Sequence, residues 1–462
     1  MARNLSVACL ALSLSAAAAC GGAALPRVEG DIAFINANVI PMDVERVLEN
    51  RTVVIADGRI AAIGSADEMT PAEGVELIDA AGGYLLPGFT EMHGHLPNPR
   101  VPDRDAQNVL FLYVANGVTT VRGMQGDPSQ FDLRERVRSG AVLGPQLFLA
   151  SVSLSPGRGV STPEEAEQLV REYAVQGYDL IKMLEGLDVE TYDAAVRTAA
   201  EVGLPLAGHV PDQVGLRRAL ASRQVSIDHL DNYVEALVPE AARPEEWPGF
   251  GGRGTLLARV DESLMPDVVE ATVRAGAWVV PTMVLWETGI LGTRPGATVA
   301  AERPEVRYMP PETVEQWTRS VDERLAAGDV EANRRLAALR GRILLALHEG
   351  GANIALGTDS PQTFSVPGFS AHREMRYYVS LGMTPYDVLE IATRKPAEYF
   401  GATDDFGTVA VGRRADLLLL EANPLEDISR TERRAGVMVG GRWLPEEEIQ
   451  RRLEAIATHY GN

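Results

Sequence analysis

The 462-residue sequence is short of cysteine, of lysine and of positive charge. Its two cysteines are Cys9 and Cys20, and Cys9 lies in the apolar segment at the start of the chain, so no disulfide framework is available. A formal net charge of −21 excludes a protein that wraps nucleic acid, because phosphate binding requires a basic surface. After the first 20 residues, charge or proline interrupts every apolar run before it reaches a transmembrane length.

The chain is long enough, with 45% hydrophobic residues, for one large domain or for a large domain with a small companion. Residues 1–19 have the pattern of an export signal: Arg3 precedes an apolar stretch, and a run of alanines leads to Cys20. Because "AAAC" resembles a bacterial lipoprotein cleavage box, Cys20 is expected to carry a lipid anchor. Ordinary signal cleavage, which would leave a soluble secreted protein, is the alternative. The predicted location is the periplasm, the membrane surface or the medium.

Short alternating segments at both ends of the chain indicate a small β-domain. "DIAFINANVI" and "TVVIADGRIAAIG" come early, and the second turns at Asp57-Gly58, a hairpin signature. Similar segments return late in the chain as "GTVAVGRRADLLLLE" and "AGVMVGGRWL". We therefore expect residues 29–85 and 405–445 to form one composite β-sandwich.

From residue 86 to residue 400, short apolar runs alternate with charged amphipathic stretches. One of these stretches opens on Thr162-Pro163 with Glu165 three residues on, which is a helix-start signal. Eight strand–helix repeats predict an α/β fold of the (β/α)8 barrel type, whose active sites lie at the C-terminal ends of the strands. The eight apolar runs are "YLLPGFTEMH", "NGVTTVRGM", "PQLFLASV", "YDLIKMLEG", "LPLAGHVP", "QVSIDHLDN", "GAWVVPTMV" and "GANIALGTDSP".

Four histidines and one aspartate fall near the C-terminal ends of these predicted strands. His93 and His95 are one residue apart, so in a strand both imidazoles project to the same side. His209 and His229 follow the fifth and sixth strands, and Asp359 ends the eighth. Nitrogen and oxygen donors gathered at one rim of a barrel predict a metal site.

Lysine occurs only at Lys182 and Lys395. Lys182 lies in an apolar run, where an unpaired ammonium is costly and burial favours the neutral amine. A neutral lysine can react with carbon dioxide to form a carbamate, an anionic ligand with two oxygens, which arginine cannot do. We expect such a carbamate to bridge two metals; a salt bridge, for example to Glu185, is the alternative. Lys395 is interpreted as a surface cation at a helix end.

Taken in order, these motifs resemble the metal-dependent amidohydrolase superfamily, most closely its secreted imidazolonepropionase-like and Xaa-Pro dipeptidase-like members. The matching segments are "PGFTEMHGH", "GVTTVRG", "DLIKM", "AGHVP", "SIDHL", "GTDS", "TRKPAEYFG" and "GTVAVGRRADLLLLEANPLEDI". The resemblance implies two divalent metals with these ligands: His93, His95 and Asp359 for the first, His209 and His229 for the second, and carboxylated Lys182 between them. A donor set without thiolate favours zinc first, with manganese, cobalt, nickel or iron as the alternatives.

Two departures from the relatives bear on the activity. Imidazolonepropionases generally lack the strand-four lysine, so Lys182 argues against that reaction. Nucleobase deaminases of the superfamily usually carry Glu three residues after the strand-five histidine, where this chain has Asp212. This second departure disfavours deamination.

The sequence therefore predicts a metal-dependent hydrolase of carbon–nitrogen bonds in small molecules such as dipeptides or N-acyl amino acids. Two metals about 3.5–4 Å apart would lower the pKa of a shared water towards 7, and the resulting hydroxide would attack an amide carbonyl. Asp359 would take the proton of the hydroxide and pass it to the departing amine. Two alternatives stay open: hydrolysis of cyclic amides or lactones by the same metals, and a catalytically silent binding protein at the cell envelope.

Substrate contacts are expected in the loops that follow the barrel strands. Arg122, at a strand end, is a candidate for binding a substrate carboxylate, with a salt bridge inside the barrel mouth as the alternative. Tyr233, in the long loop after strand six, and His372, after strand eight, are further candidates; a loop or helix-start role is the alternative for His372. Trp286 lies in the long loop after strand seven, which could form a lid or simply fill its own hydrophobic interior.

Overall fold

The computed structural model of the chain describes residues 25–461. The predicted export signal, residues 1–19, and the predicted lipid anchor, Cys20, lie outside the described residues. None of the helices within the described range combines the length and the apolar composition that crossing a bilayer requires.

The first part of the described chain consists of short strands. The turn between two of them contains Asp57 and Gly58, with φ of 50° and 70°, which confirms the predicted hairpin. The strands are β1 Arg27–Val28, β2 Ile32–Val39, β3 Leu48–Ala56, β4 Arg59–Ser65, β5 Thr70–Pro71, β6 Glu76–Asp79 and β7 Tyr84–Pro87.

Eight buried parallel strands follow, one for each of the eight apolar runs of the sequence, which confirms the α/β class. They are β8 Phe89–Gly94, β9 Val118–Gly123, β10 Gln146–Leu149, β11 Ile181–Met183, β12 Leu206–Gly208, β13 Ser226–Asp228, β14 Trp278–Val280 and β15 Asn353–Ile354. They pair as β8-β9-β10 and as β11-β12-β13-β14-β15. Isolated parallel bridges join Ala150 to Leu180 and Gly94 to Ser360, so residues of the two sheets also pair directly.

Helices cover the connections between these strands and close the chain. Thr162 caps its helix through a reciprocal capping box with Glu165, which confirms the predicted helix start. The helices are α1 Asp103–Ala115, α2 Gln130–Arg138, α3 Pro163–Gln176, α4 Val189–Val202, α5 Gly215–Ala221, α6 Tyr233–Ala236, α7 Met265–Ala275, α8 Met283–Leu285, α9 Gly296–Ala301, α10 Pro311–Ala327, α11 Val330–Glu349, α12 Phe369–Leu381, α13 Pro385–Ala392, α14 Arg394–Tyr399 and α15 Glu446–His459.

Strands from both ends of the chain share one sheet. The late strands are β16 Leu417–Leu420, β17 Arg434–Val439 and β18 Arg442–Pro445. The sheet runs β18-β17-β16-β7-β2-β3-β4, with β6 also beside β2. Because β7 pairs with both β16 and β2, the strands from the two ends of the chain form one continuous hydrogen-bonded sheet. The β-sandwich over residues 29–85 and 405–445 stays a prediction.

The two faces of this sheet pack against different cores. Leu85 and Leu417 belong to the core of the sheet itself, whereas their neighbours Leu86 and Leu418 belong to the core that contains the eight parallel strands. Successive side chains of a strand point to opposite faces, so the alternation of these leucines attaches the sheet to the strands that carry the site. Phe34 packs edge to face on Trp443, with ring centroids 5.1 Å apart, across the two chain ends.

Candidate metal centre

The six predicted metal ligands meet at one end of the parallel strands. His93 lies near the C-terminal end of β8, and Lys182 lies in β11. His209 and His229 directly follow β12 and β13. Asp359 lies in the loop after β15. These residues, together with His95, line one cavity of about 230 Å³. The C-terminal rim of the strands therefore carries the whole predicted set.

Two of the six donors, His93 and His95, lie beside Asp359. Its Oδ1 lies 2.9 Å from Nε2 of His95 and 3.6 Å from Nε2 of His93. Nζ of Lys182 lies 3.4 Å from Nε2 of His93. The ligand atoms of His93, His95 and Asp359 all lie within 4.8 Å of one another, which is close enough for them to share one cation.

The other two imidazoles stand beside this group. The ring centroids of His93 and His229 are 4.4 Å apart, and those of His229 and His209 are 4.5 Å apart. Nδ1 of His209 contacts Asp231 at 2.7 Å and Nδ1 of His229 contacts Thr282 at 2.8 Å. Each ring has its Nδ1 engaged, which leaves Nε2 as the free donor atom.

One atom at the centre of the site tests whether these residues fit a metal. Nε2 of His229 is buried and has no hydrogen-bond partner among the described residues. A buried polar atom without a partner costs free energy, and an imidazole nitrogen is a good donor to a divalent cation. The imidazole and carboxylate set therefore fits divalent metal ions, in agreement with the sequence analysis.

Burial sets the protonation of the site in the direction that metal binding requires. It lowers the pKa of His93 and of His229 well below the usual value, which favours the neutral imidazole. It also lowers the pKa of Lys182, although Asp228 and Asp359 act in the opposite direction. Burial alone would raise the pKa of Asp359, but the neighbouring His95 and His93 outweigh it and lower that pKa to about 2.

The backbone is strained where the site needs it. His229 and Asp359 have φ of 62° and 60°, the left-handed region that side-chain-bearing residues rarely adopt. Gly208, just before His209, has φ of 115°, and a Cβ there would lie 2.6 Å from the carbonyl oxygen of Met183 and 2.9 Å from Cδ of Lys182. Glycine at this position thus leaves room for the lysine side chain.

Carboxylates behind the histidines are the functional residues that the sequence analysis missed. Oδ2 of Asp228 lies 2.7 Å from Nδ1 of His93, just as Asp231 lies against His209. Both aspartates are fully buried. They flank His229 in "SIDHLDN", and this acidic pair around a strand-end histidine was the available signal. Such partners fix the tautomer and orientation of a metal-binding imidazole.

Glu185 does not form the salt bridge with Lys182 that was the alternative to a carbamate. Its Oε1 lies 3.7 Å from Nδ1 of His209, on the side of that ring where Asp231 also contacts it.

Glu91 connects β8 to the loop that carries Asp359, since it accepts hydrogen bonds from the backbone N–H groups of His93 and Thr358 at 2.9 and 2.8 Å.

The three predicted substrate contacts lie outside the described lining of the cavity. Arg122 is fully buried and forms an ion pair with Asp228 at 3.1 Å, the salt bridge that was its alternative. Tyr233 is fully buried, with its hydroxyl 3.0 Å from that of Thr272. His372 is buried in the first turn of α12, where its Nδ1 contacts Thr431 at 2.9 Å.

Neutral side chains form most of the remaining cavity wall. Trp286, from the long loop after β14, is one of them, and it begins a π-helical turn that ends at Ile290. Turns of this kind occur frequently at functional sites. The apolar wall consists of Met124, Leu184, Leu285, Trp286 and Ile290. The polar lining beyond the six donors consists of Gln125, Ser153, Arg158 and Gln362.

Comparisons with known proteins show relatives that match most of this chain. The imidazolonepropionase of Mycolicibacterium smegmatis is 25% identical over 389 residues, which are 81% of this chain and 85% of that protein. The adenine deaminase of Deinococcus deserti is 24% identical over 450 residues, which are 94% of this chain. Those residues are 63% of the deaminase, so the chain spans less than two thirds of that relative's length.

Solved structures show the same fold. A bottromycin amidohydrolase superposes with a TM-score of 0.71 and 26% identity, over 93% of this chain and 90% of that one. A Xaa-Pro dipeptidase with bound methionine superposes with a TM-score of 0.64 and 21% identity, over 90% of this chain and 99% of that one. The model of the amidohydrolase family matches residues 84–444. The chain therefore belongs to the amidohydrolase family, which confirms the resemblance seen in its sequence.

Proposed function

We propose that this amidohydrolase cleaves carbon–nitrogen bonds of small molecules, such as dipeptides or N-acyl amino acids, with two divalent metals, zinc first among them. The observation that carries the proposal is the convergence of four imidazoles, one lysine and one aspartate on one cavity. The amide C–N bond breaks, the hydroxyl of water adds to the carbonyl carbon, and the proton of that water goes to the departing amine.

Each metal ligand has a place in this proposal. When bound, the two cations supply an activated water and polarise the carbonyl oxygen. His93, His95 and Asp359 would hold one cation, and His209 and His229 the other. Lys182 would hold both as a carbamate, because a plain ammonium so close to Nε2 of His93 would repel cations.

Asp359 is the proposed catalytic residue. Its low pKa keeps it ionised, so it can accept a proton from the attacking water and release it to the amine. Gln362 donates a hydrogen bond to its Oδ2 at 3.1 Å, which fixes the orientation of the carboxylate, and Oδ1 faces Nε2 of His95 at 2.9 Å.

Closure of the barrel and export of the protein are also proposed. The eight parallel strands are proposed to form a closed (β/α)8 barrel, supported by the bridges between Ala150 and Leu180 and between Gly94 and Ser360. Export, with or without a lipid on Cys20, is proposed from the N-terminal sequence alone.

A second candidate function is hydrolysis of cyclic amides or lactones on the same metals. Deamination is disfavoured because Asp212, the residue at the position of the deaminase glutamate, forms an ion pair with Arg253 at 3.0 Å. A catalytically silent envelope protein is disfavoured by the complete donor set, which such a protein does not need.

The test is the metal content of the purified protein together with a substrate panel. Two metals per chain and hydrolysis of a Xaa-Pro dipeptide or an N-acyl amino acid are expected. Faster hydrolysis of a hydantoin or a lactone would favour the second candidate. Folded protein that stays inert with zinc, manganese or cobalt would refute the proposal.

A further inference from the structure

The charge of the cavity wall selects among the substrates of the proposed function. Apart from the six metal donors, Arg158 is the one charged side chain among the described residues that line the cavity. The wall beside it is apolar or neutral. A substrate that fits this wall carries one negative charge and an apolar body.

Arg158 is free to bind such a charge. It ends the short turn Pro156–Arg158 in the loop after β10, and Gly159, with φ of 84°, follows it. Its side chain is exposed and has no hydrogen-bond or ion-pair partner among the described residues. By contrast, Arg340, which also lies near the site, donates to the carbonyl of His229 and lies over the ring of Trp286 at 3.9 Å.

The wall offers a substrate ammonium no anionic partner beyond the metal donors. Among the described lining residues, Asp359 is the one carboxylate, and the proposed function uses it as a metal ligand. Glu185 lies on the Nδ1 side of His209, where it lines a different cavity with Asp212 and Arg253. A charged α-amine would therefore lose hydration without gaining an ion-pair partner.

Resting on the proposed function, we propose that the substrate is an N-acyl amino acid with an apolar side chain, and that Arg158 binds its α-carboxylate. The guanidinium pairs with a carboxylate through two parallel hydrogen bonds, which also orients the substrate. The apolar side chain lies against Leu285, Trp286 and Ile290. A dipeptide, with its additional ammonium, is the poorer substrate.

Three compounds test this inference on the metal-loaded enzyme. N-propionyl-leucine and alanyl-leucine differ only by the ammonium, and N-propionyl-leucinamide lacks the carboxylate. For the wild type, kcat/KM is expected to be about 10-fold higher for N-propionyl-leucine than for either of the others, the discrimination typical of one charge-assisted contact.

The variant Arg158→Met should lose this preference. Its kcat/KM for N-propionyl-leucine should fall about 10-fold, mainly through KM, with the amide substrate unchanged. Added salt should weaken the wild-type preference and leave the variant unaffected, because screening acts on the exposed charge. Arg335→Met is the matched control, since Arg335 is an exposed arginine on α11 outside the cavity lining, and it should behave as wild type.

The outcomes separate the two claims. If the wild type hydrolyses the compounds but Arg158→Met keeps the full preference for the carboxylate, the inference is wrong and the proposed function stands. Preference of the wild type for alanyl-leucine would also overturn the inference. If the wild type hydrolyses none of the three, nor any other amide or peptide, the proposed function fails and the inference falls with it.

Discussion

Replacing Asp228 by Asn removes the negative charge that lies between Arg122 and His93. Asp228 is fully buried, and it accepts hydrogen bonds from Nη2 of Arg122 and, at 2.8 Å, from the hydroxyl of Ser226. Burial alone would raise the pKa of Asp228, but Arg122 and Lys182 outweigh it and hold that pKa below its usual value. The native protein thus contains the carboxylate, and the variant leaves Arg122 without an anionic partner.

The magnitude follows from the 3.1 Å between the two charged groups. Two unit charges at about 3 Å attract by about 5 kcal/mol at an effective dielectric constant of about 20. Asn keeps part of the hydrogen bonding, so the expected loss of unfolding free energy is about 3–4 kcal/mol, within the range seen when one partner of a buried pair is removed.

The same change should weaken metal binding by a separate route. Asn can present its amide N–H to Nδ1 of His93 as readily as its carbonyl oxygen, so the tautomer that leaves Nε2 as a donor is no longer fixed. Loss of such a partner lowers metal affinity by about 10- to 100-fold.

Two measurements distinguish these effects. Urea unfolding of the chelator-treated protein reports the loss of the ion pair, and competition with a chelator reports the metal affinity. The double variant Arg122→Met with Asp228→Asn should regain part of the stability but none of the metal affinity. If Asp228→Asn unfolds within about 1 kcal/mol of the wild type, the ion pair does not have the energetic role argued here.

Three further predictions follow from the site and its surroundings. Asp359→Asn should keep much of the metal but lose about 10²- to 10⁴-fold in kcat, measured beside its metal content; near-normal turnover would exclude Asp359 as the proton carrier. Lys182→Ala should lose one or both metals, together with the carbamate signal in ¹³C NMR after labelling with ¹³CO₂, and a short-chain carboxylate should partly restore metal binding. Lys395→Ala, the matched control at the other lysine, should keep both the metals and the carbamate signal. Burial lowers the pKa of His372 to about 3, so the native state binds fewer protons than the unfolded state and stability falls as pH drops below about 6.5. His372→Asn cannot take up that proton. Between pH 6 and 4, its unfolding free energy in urea titrations should therefore fall less steeply than that of the wild type, with a difference in slope of about 1.4 kcal/mol per pH unit. Equal slopes would contradict the lowered pKa of His372.

Sequence reasoning succeeded where a residue's position along a strand decides its place. The apolar runs located all eight parallel strands, and His209 and His229 lie directly after β12 and β13 because the C-terminal ends of parallel strands share one rim. Local signals worked equally well: Thr162 and Glu165 form the capping box that their spacing predicts.

Sequence reasoning could not place residues whose role depends on the direction of the side chain. Arg122 and His93 both lie near the end of a strand, yet His93 lines the cavity whereas Arg122 is enclosed behind it with Asp228. A shift of one residue turns a side chain to the other face, and the apolar runs of fully buried strands do not mark which face is which. Sequence reasoning did not identify Arg158 either. Arg158 lies in a loop, and its proposed role depends on where that loop lies relative to the cavity.

The pairing of β16 with β7 has a consequence for how the protein is made. Leu417 pairs with Pro87, about 330 residues earlier in the chain. Until the late strands emerge from the ribosome, β7 has an unpaired edge, and an unpaired edge invites association with other chains. A ribosome that stalls before residue 417 therefore leaves a nascent chain whose eight parallel strands are already synthesised but whose first sheet is still open. Such fragments should depend on chaperones more than the finished protein does.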